Sequence, residues 1–292
     1  LRYSSADSRG WLDRSPLKPD IECLVGDVRD PDSVKRAVQG VEVVFHLAAM
    51  ISIRHCYHTP LGYVRTNVEG TVNLLQVARD AGVSRFVHTS TSEVYGTARY
   101  VPIDERHPLQ AQSPYAASKI GADKAVESFG CSFGLPVVIV RPFNTFGPRQ
   151  SARAIVPTII TQCLTDAVVR LGNLTPTRDL NFVHDTVEGF VRAAVSPQAV
   201  GRTVNLGSGR EIAIGDLVTL VAELSERRVA VEQDAARTRP PGGEVERLLA
   251  DNRLAKELLG WRPAVTLEEG LRQTIEWMRE HLDGYRPGVY VV

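Results

Sequence analysis

The sequence carries no excess charge of either sign: 34 basic residues meet 34 acidic ones, the formal net charge is zero and the pI is about 7.2. No basic block breaks that balance, so neither nucleic acid nor an anionic membrane surface has an electrostatic footprint to bind. Long hydrophobic runs are missing too. The apolar stretches are short and interrupted by charges, which excludes a transmembrane span; no signal peptide is legible, and a soluble cytoplasmic protein is expected. Cysteine is sparse, with Cys23, Cys56, Cys131 and Cys163 far apart and no Cys-x-x-Cys pair. That spacing predicts reduced thiols, neither a disulfide frame nor a zinc site. His55 and His58 lie beside Cys56, but no second ligand cluster accompanies them, so a polar loop leading into a helix is expected and no metal. Internal repeats and low-complexity tracts are absent.

What is present is alternation. Short apolar strands at Ile21–Val25, Val41–Leu47, Arg85–Ser90, Val137–Val140 and Thr203–Leu206 are separated by helical patterns near Pro31–Gln39, Leu61–Ala81, Tyr115–Phe133 and Asp185–Val195. This is the signature of an α/β fold, a doubly wound parallel sheet. Beyond Pro142 the alternation is interrupted by further helical stretches at Ile155–Leu164, Gly215–Ser225, Asn252–Leu259 and Leu267–Glu280. The expected organisation is a large domain of residues 1–144 plus 181–207 and a smaller lobe of residues 145–180 plus 208–292. Thr238-Arg239-Pro240-Pro241-Gly242-Gly243-Glu244 reads as a loop by composition.

Two motifs carry chemistry. Ser90-Thr91-Ser92-Glu93-Val94-Tyr95-Gly96 follows an apolar strand, and Tyr115-Ala116-Ala117-Ser118-Lys119 opens a helix after Ser113-Pro114. A tyrosine four residues before a lysine shares a helix face with it, and the ammonium is expected to pull the phenol below its free pKa of about 10. Such a phenol can take a proton from an alcohol. In open α/β sheets, ligands bind beyond the carboxyl ends of the strands. Asp27, Ala48 and Ala49, Ser90 to Glu93, and Arg141 to Asn144 all fall at such ends.

Together these motifs resemble the site of extended short-chain dehydrogenase/reductases of the NAD-dependent epimerase/dehydratase family, and among them the nucleotide-sugar 4,6-dehydratases. The likeness covers essentially the whole chain. It implies a Rossmann-like fold with a substrate-binding lobe and a tightly bound, recycled NAD or NADP. A dinucleotide-binding fold opens with a strand, a Gly-rich turn and a helix, yet no Gly-x-Gly-x-x-Gly occurs and the chain begins at Leu1-Arg2-Tyr3. About thirty further residues upstream, holding the first strand and that turn, are therefore expected. The resemblance assigns Asp27 and Val28 to the adenine, and Leu47, Ala48 and Ala49 to a cofactor-lining backbone, with Ser90, Tyr115 and Lys119 alongside. Arg2 with its serines resembles a 2′-phosphate site, although a solvated arginine explains it equally, so NAD against NADP stays open. Asn67 resembles a helix asparagine that supports the site, a structural role.

The implied reaction has Tyr115, assisted by Lys119 and Thr91, deprotonate the sugar 4-hydroxyl as hydride leaves C4. Glu93 then removes the C5 proton, water departs from C6 and hydride returns there. Ser92 stands where dTDP-glucose dehydratases carry aspartate, which leaves Glu93 as both base and acid. The same Ser-Glu pair occurs in UDP-glucuronate decarboxylases, so decarboxylation is the nearest rival, followed by 4-epimerisation; a sugar-nucleotide binding fragment without turnover is the non-enzymatic alternative. Asn144 and Arg178 match family positions that hold the nucleotide sugar and a phosphate, with Ser92, Arg153 and Arg247 as further substrate contacts. The stretches Gly147–Pro157 and Leu171–Asp179 resemble the GDP-N-acetylglucosamine 4,6-dehydratases of legionaminate synthesis. Relatives commonly pair as homodimers through the two long helices, here Leu61–Ala81 and Tyr115–Phe133.

Overall fold

The computed structural model describes residues 9–240 and 242–285; Arg2, expected at the cofactor, lies outside them. The helices are α1 (Pro31–Val38), α2 (Ile53–Cys56), α3 (Pro60–Tyr63), α4 (Gly70–Asp80), α5 (Pro114–Phe133), α6 (Ile155–Thr165), α7 (Val183–Val195), α8 (Ile214–Leu224), α9 (Arg253–Leu259) and α10 (Leu267–Glu280). Strands β1 (Val43–His46), β2 (Arg85–Thr89), β3 (Val137–Pro142) and β7 (Thr203–Leu206) form one parallel sheet in the order β1-β2-β3-β7. Parallel neighbours need crossovers, and α4 and α5 provide them between β1, β2 and β3. Two small sheets flank this one: β4 (Asn144–Phe146), β6 (Thr177–Phe182) and β8 (Glu211–Ala213), and the pair β5 (Val168–Leu171) with β9 (Ala230–Gln233).

The sheet interior follows from composition. β2 and β3 read as near-continuous apolar runs because both faces are covered, by α1, α4 and α5 on one side and by α7 and α9 on the other. A separate core fills the lobe, where Phe146, Ile159, Ile160, Leu217, Leu271 and Met278 pack together. Helix starts are specified locally: Asp30 caps α1, Ser113 caps α5 ahead of Pro114, and Thr266 caps α10. Gly134, at φ 66°, closes α5 in the left-handed conformation.

The structure differs from expectation in four places. The apolar run Ile21–Val25 is not a strand of any of these sheets, and Leu24 and Val25 are 43% and 53% exposed. A run becomes a strand through the ladder it joins, which its own residues do not specify. The helix expected over Leu61–Ala81 is α3 and α4 joined by a π-helical stretch, Val64–Glu69. β6 went unread because Arg178, Asp179 and Asn181 make it look polar, yet all three are buried. Finally, α9 and Trp261, placed in the lobe by chain order, pack with β7 and α7 against the large sheet.

Candidate active site

Strand β2 delivers the first motif. Beyond Thr89 the chain turns at Thr91, whose Oγ1 accepts a hydrogen bond from the Glu93 amide at 3.2 Å and caps a single 3-10 turn, Ser92–Tyr95. Gly96 ends that turn at φ 62°, ψ −157°, a backbone conformation essentially reserved for glycine. The capped α5 delivers the second motif, with Tyr115 in its first turn and Lys119 one turn on. Thr91 lies close enough to the buried Tyr115 phenol to favour its ionised form, and Tyr63 packs edge-on to its ring at 6.3 Å.

Tyr115 corrects one expectation. Burial raises its pKa, and the negative charges of Glu93 and Asp123 add to the rise against the Thr91 hydrogen bond. Desolvation of the phenolate outweighs help from a cation, and the Lys119 ammonium is spent on the Thr89 carbonyl. Burial also brings the lysine down, to about 8, against the pull of Asp123.

Glu93 is 7% exposed. Its Oε2 lies 3.6 Å from Arg239 Nη1, and Arg239 Nε lies 3.6 Å from Glu244 Oε1, which also accepts from Arg178 Nη2 at 3.1 Å. Arg178 is buried and also donates to the Thr177 carbonyl. Desolvation lowers its pKa. Arg54, donating to the Arg237 carbonyl, feels the positive charges of Arg237 and Arg239 and extends this basic rim. Beside it opens a cavity of about 350 Å³ lined by Gly172, Asn173, Gln233, Thr238, Arg239 and Glu244 among others. Tyr57 points its hydroxyl into the same region, buried and without a hydrogen bond.

The remaining expected residues divide. Ser90 and Ser92 are buried beside the motif, and Ser90 Oγ donates to Asp123 Oδ2 at 2.8 Å. Asn144, on β4, keeps its Oδ1 buried without a hydrogen bond. Exposed Arg153 lies close enough to act electrostatically on Tyr63. Arg247 forks instead onto Glu211, with Nε–Oε2 2.9 Å. On the other side, Leu47 and Ala48 are exposed and Ala49 half-buried at the end of β1. Asp27 pairs with Arg29 at 2.7 Å, and Val28 packs against Gly70 while its carbonyl accepts from Asn73. Asn67 has the structural role expected: it brackets Met50 through both amide and carbonyl and donates to Ser118 Oγ.

Sequence reasoning missed Arg239, Glu244, Arg54 and Tyr57. Arg239 and Glu244 were visible only as part of a Pro-Gly loop. Their use depends on that loop folding back over Glu93, for which the sequence holds no local signal.

A family model described as GDP-mannose 4,6 dehydratase matches residues 1–274. The chain is 37% identical to a UDP-glucose 4-epimerase of Mycolicibacterium smegmatis, over 82% of this chain and 76% of that one. To a dTDP-glucose 4,6-dehydratase of Streptomyces antibioticus it is 33% identical, over 95% and 82%. The crystal structure of DesIV, a dTDP-glucose 4,6-dehydratase of Streptomyces venezuelae with NAD and TYD bound, superposes with a TM-score of 0.84 at 31% identity, covering 94% of this chain and 86% of that one. A chain with this sheet, these two motifs and a match of that extent belongs to the GDP-mannose 4,6 dehydratase family of NAD-dependent epimerases and dehydratases.

Proposed function

We propose that the protein is an NAD-dependent nucleotide-sugar 4,6-dehydratase forming a 4-keto-6-deoxy sugar nucleotide. The observation that carries this reading is Glu93, a shielded carboxylate on the short turn capped by Thr91, whose hydroxyl lies beside the Tyr115 phenol. Exposed Leu47 and Ile51 fit the flat apolar face of a nicotinamide at the end of β1, with Ser90 and Lys119 close behind. NAD, when bound, supplies the hydride acceptor and donor. NAD is favoured over NADP because DesIV holds NAD.

Tyr115, beside Thr91, takes the proton of the sugar 4-hydroxyl. Burial makes the phenolate, the reacting form, a strong base, and an ammonium one helical turn away on α5 offsets part of the cost of forming it. Glu93 takes the C5 proton, which a 4-ketone makes acidic, and returns it to the C6 hydroxyl as water leaves. Arg178 and Arg239 meet the diphosphate, and Asn144 offers its free carbonyl oxygen to a sugar or nucleotide donor. Phe133, Leu61 and Val64 expose apolar surface on the long helices and their approach, which supports a homodimer formed there.

The test is incubation with GDP-, dTDP- and UDP-linked hexoses and N-acetylhexosamines in turn, GDP-N-acetylglucosamine first, with detection of the 4-keto-6-deoxy product. A 4-epimer as sole product would replace the dehydratase reading. One observation favours a second reading, a uronate substrate: Arg239 Nη1 is buried without a hydrogen bond beside Glu93 and would suit a C6 carboxylate. UDP-glucuronate consumed with loss of CO₂ or epimerised at C4 would establish it.

A further inference from the structure

Behind the Tyr115–Lys119 pair lies a buried polar cluster that the reaction as described does not use. At its centre is Asp123, one turn beyond Lys119 on α5 and fully buried. Its Oδ2 accepts from Ser90 Oγ at 2.8 Å and from Arg141 Nη2 and Nε at 2.9 and 3.2 Å. Its Oδ1 makes no hydrogen bond, although His88 Nε2 stands 3.3 Å away.

We propose that Asp123 is a positioning residue, the buried counter-ion that keeps the Lys119 ammonium charged and seated at the end of β2. This rests on Tyr115 and Lys119 being the reacting pair.

The charge inventory of the cluster supports such a role. One cation, Arg141, contacts the Asp123 carboxylate, and a second, Lys119, stands one helical turn from it on α5. The groups that face it from each packed element are His46 of β1, His88 of β2, Arg141 of β3, Glu93 and Tyr95 of the 3-10 turn, Tyr63 of α3, and Tyr115 and Lys119 of α5 itself. Burial drives His88 to about 4 and His46 well below the usual imidazole range, so neither adds charge at neutral pH. Tyr95 rises to about 12 through burial and stays neutral as well, donating to Asn205 Oδ1 at 2.7 Å. Among the described residues no carboxylate lies within ion-pair distance of Lys119, which is 3% exposed. Asp123 therefore acts through space, across one helical turn. An isolated buried ammonium loses its proton readily. Were Asp123 only the structural partner of Arg141, its loss would weaken the fold and leave the lysine alone.

The chain has only five lysines, so their side-chain nitrogens can be titrated by NMR with ¹⁵N/¹³C-labelled lysine, assigned by Lys119→Met. In Asp123→Asn the Lys119 titration moves down by about one pH unit or more, and the alkaline limb of kcat/KM moves with it. Asp123→Glu restores both toward the parent values, whatever its absolute activity. An unmoved Lys119 titration in folded Asp123→Asn overturns the proposal. Should that variant not fold, Arg141→Gln removes the competing cation and moves the Lys119 titration upward; no movement, or a fall, overturns the proposal equally. The NMR readout is independent of turnover. If Tyr115→Phe retains full activity the reacting-pair reading fails, and the hold of Asp123 on Lys119 is still decided by the titration.

Discussion

Glu93 and Arg239 face each other at the mouth of the cleft, Oε2 to Nη1 at 3.6 Å, the first on the turn after β2 and the second on a loop of the smaller lobe. The contact is long for a hydrogen bond, and among the described residues Nη1 has no hydrogen-bond partner. The arginine is thus available to a ligand anion. Arg239→Met should raise KM for the nucleotide sugar at least about tenfold, roughly 1.4 kcal/mol, with a smaller effect on kcat. Steady-state kinetics check this, and an unchanged KM would remove Arg239 from the binding site.

Tyr115→Phe deletes a proton-transfer group and little volume. Turnover should fall by about 10²–10⁴-fold while nucleotide-sugar affinity stays nearly constant. Calorimetric titration with the sugar nucleotide, alongside product assay, separates the two quantities.

Glu93→Gln keeps the shape of the turn and abolishes the base. Dehydration should stop while C4 oxidation continues, seen as reduced cofactor accumulating at 340 nm in a single turnover. Full dehydratase activity in this variant would take Glu93 out of the mechanism.

Gly96→Ala tests the turn itself. The left-handed φ of 62° is joined by crowding, since a Cβ there would meet the Gln110 carbonyl at 2.9 Å and Gln112 Oε1 at 2.6 Å. A loss on the order of 1–3 kcal/mol is expected, measured by urea denaturation. Activity should fall by more than stability alone explains, because the turn carries Glu93.

His88 gives the fold an acid weakness. Its folded pKa of about 4 lies below the ordinary 6.5, chiefly through burial. The stabilisation is complete above about 6.5 and is lost as pH falls toward 4, because the unfolded chain then binds a proton that the folded chain refuses. The part due to His88 is on the order of 3 kcal/mol. Thermal midpoints between pH 7 and 4.5 should fall less steeply in folded His88→Gln than in the parent.

Much of the large domain was legible because its signals are local. The apolar period of β2 and β3, Ser113-Pro114 before α5, and the spacing of Tyr115 to Lys119 all act over a few residues. The lobe was less legible for the opposite reason. β6 hides Arg178 and Asp179 inside a polar-looking run because their partners, Glu244 and the Ser208 and Ala250 amides, come from distant chain. Asp123 was unread for the same reason: its neighbours come from β2 and β3. The assumption that a neighbouring ammonium dominates Tyr115 failed because spacing does not report burial.

The π-helical stretch between α3 and α4 has a genealogical consequence. Such a turn accommodates one extra residue in a helix, and each residue advances the helix by about 100°. Tyr63 can therefore lean on Tyr115 while Leu74 and Leu75 remain seated on the sheet. Deleting one residue between Val64 and Glu69 would restore ordinary winding with Tyr63 and Leu75 still in register, so the change would fall on the turn itself, where Asn67 holds Met50 and Ser118. Homologues one residue shorter in this segment should then keep the ring packed on Tyr115 and differ in how Met50 and Ser118 are held, which makes single-residue length change there a way to alter the support of the site without moving its wall.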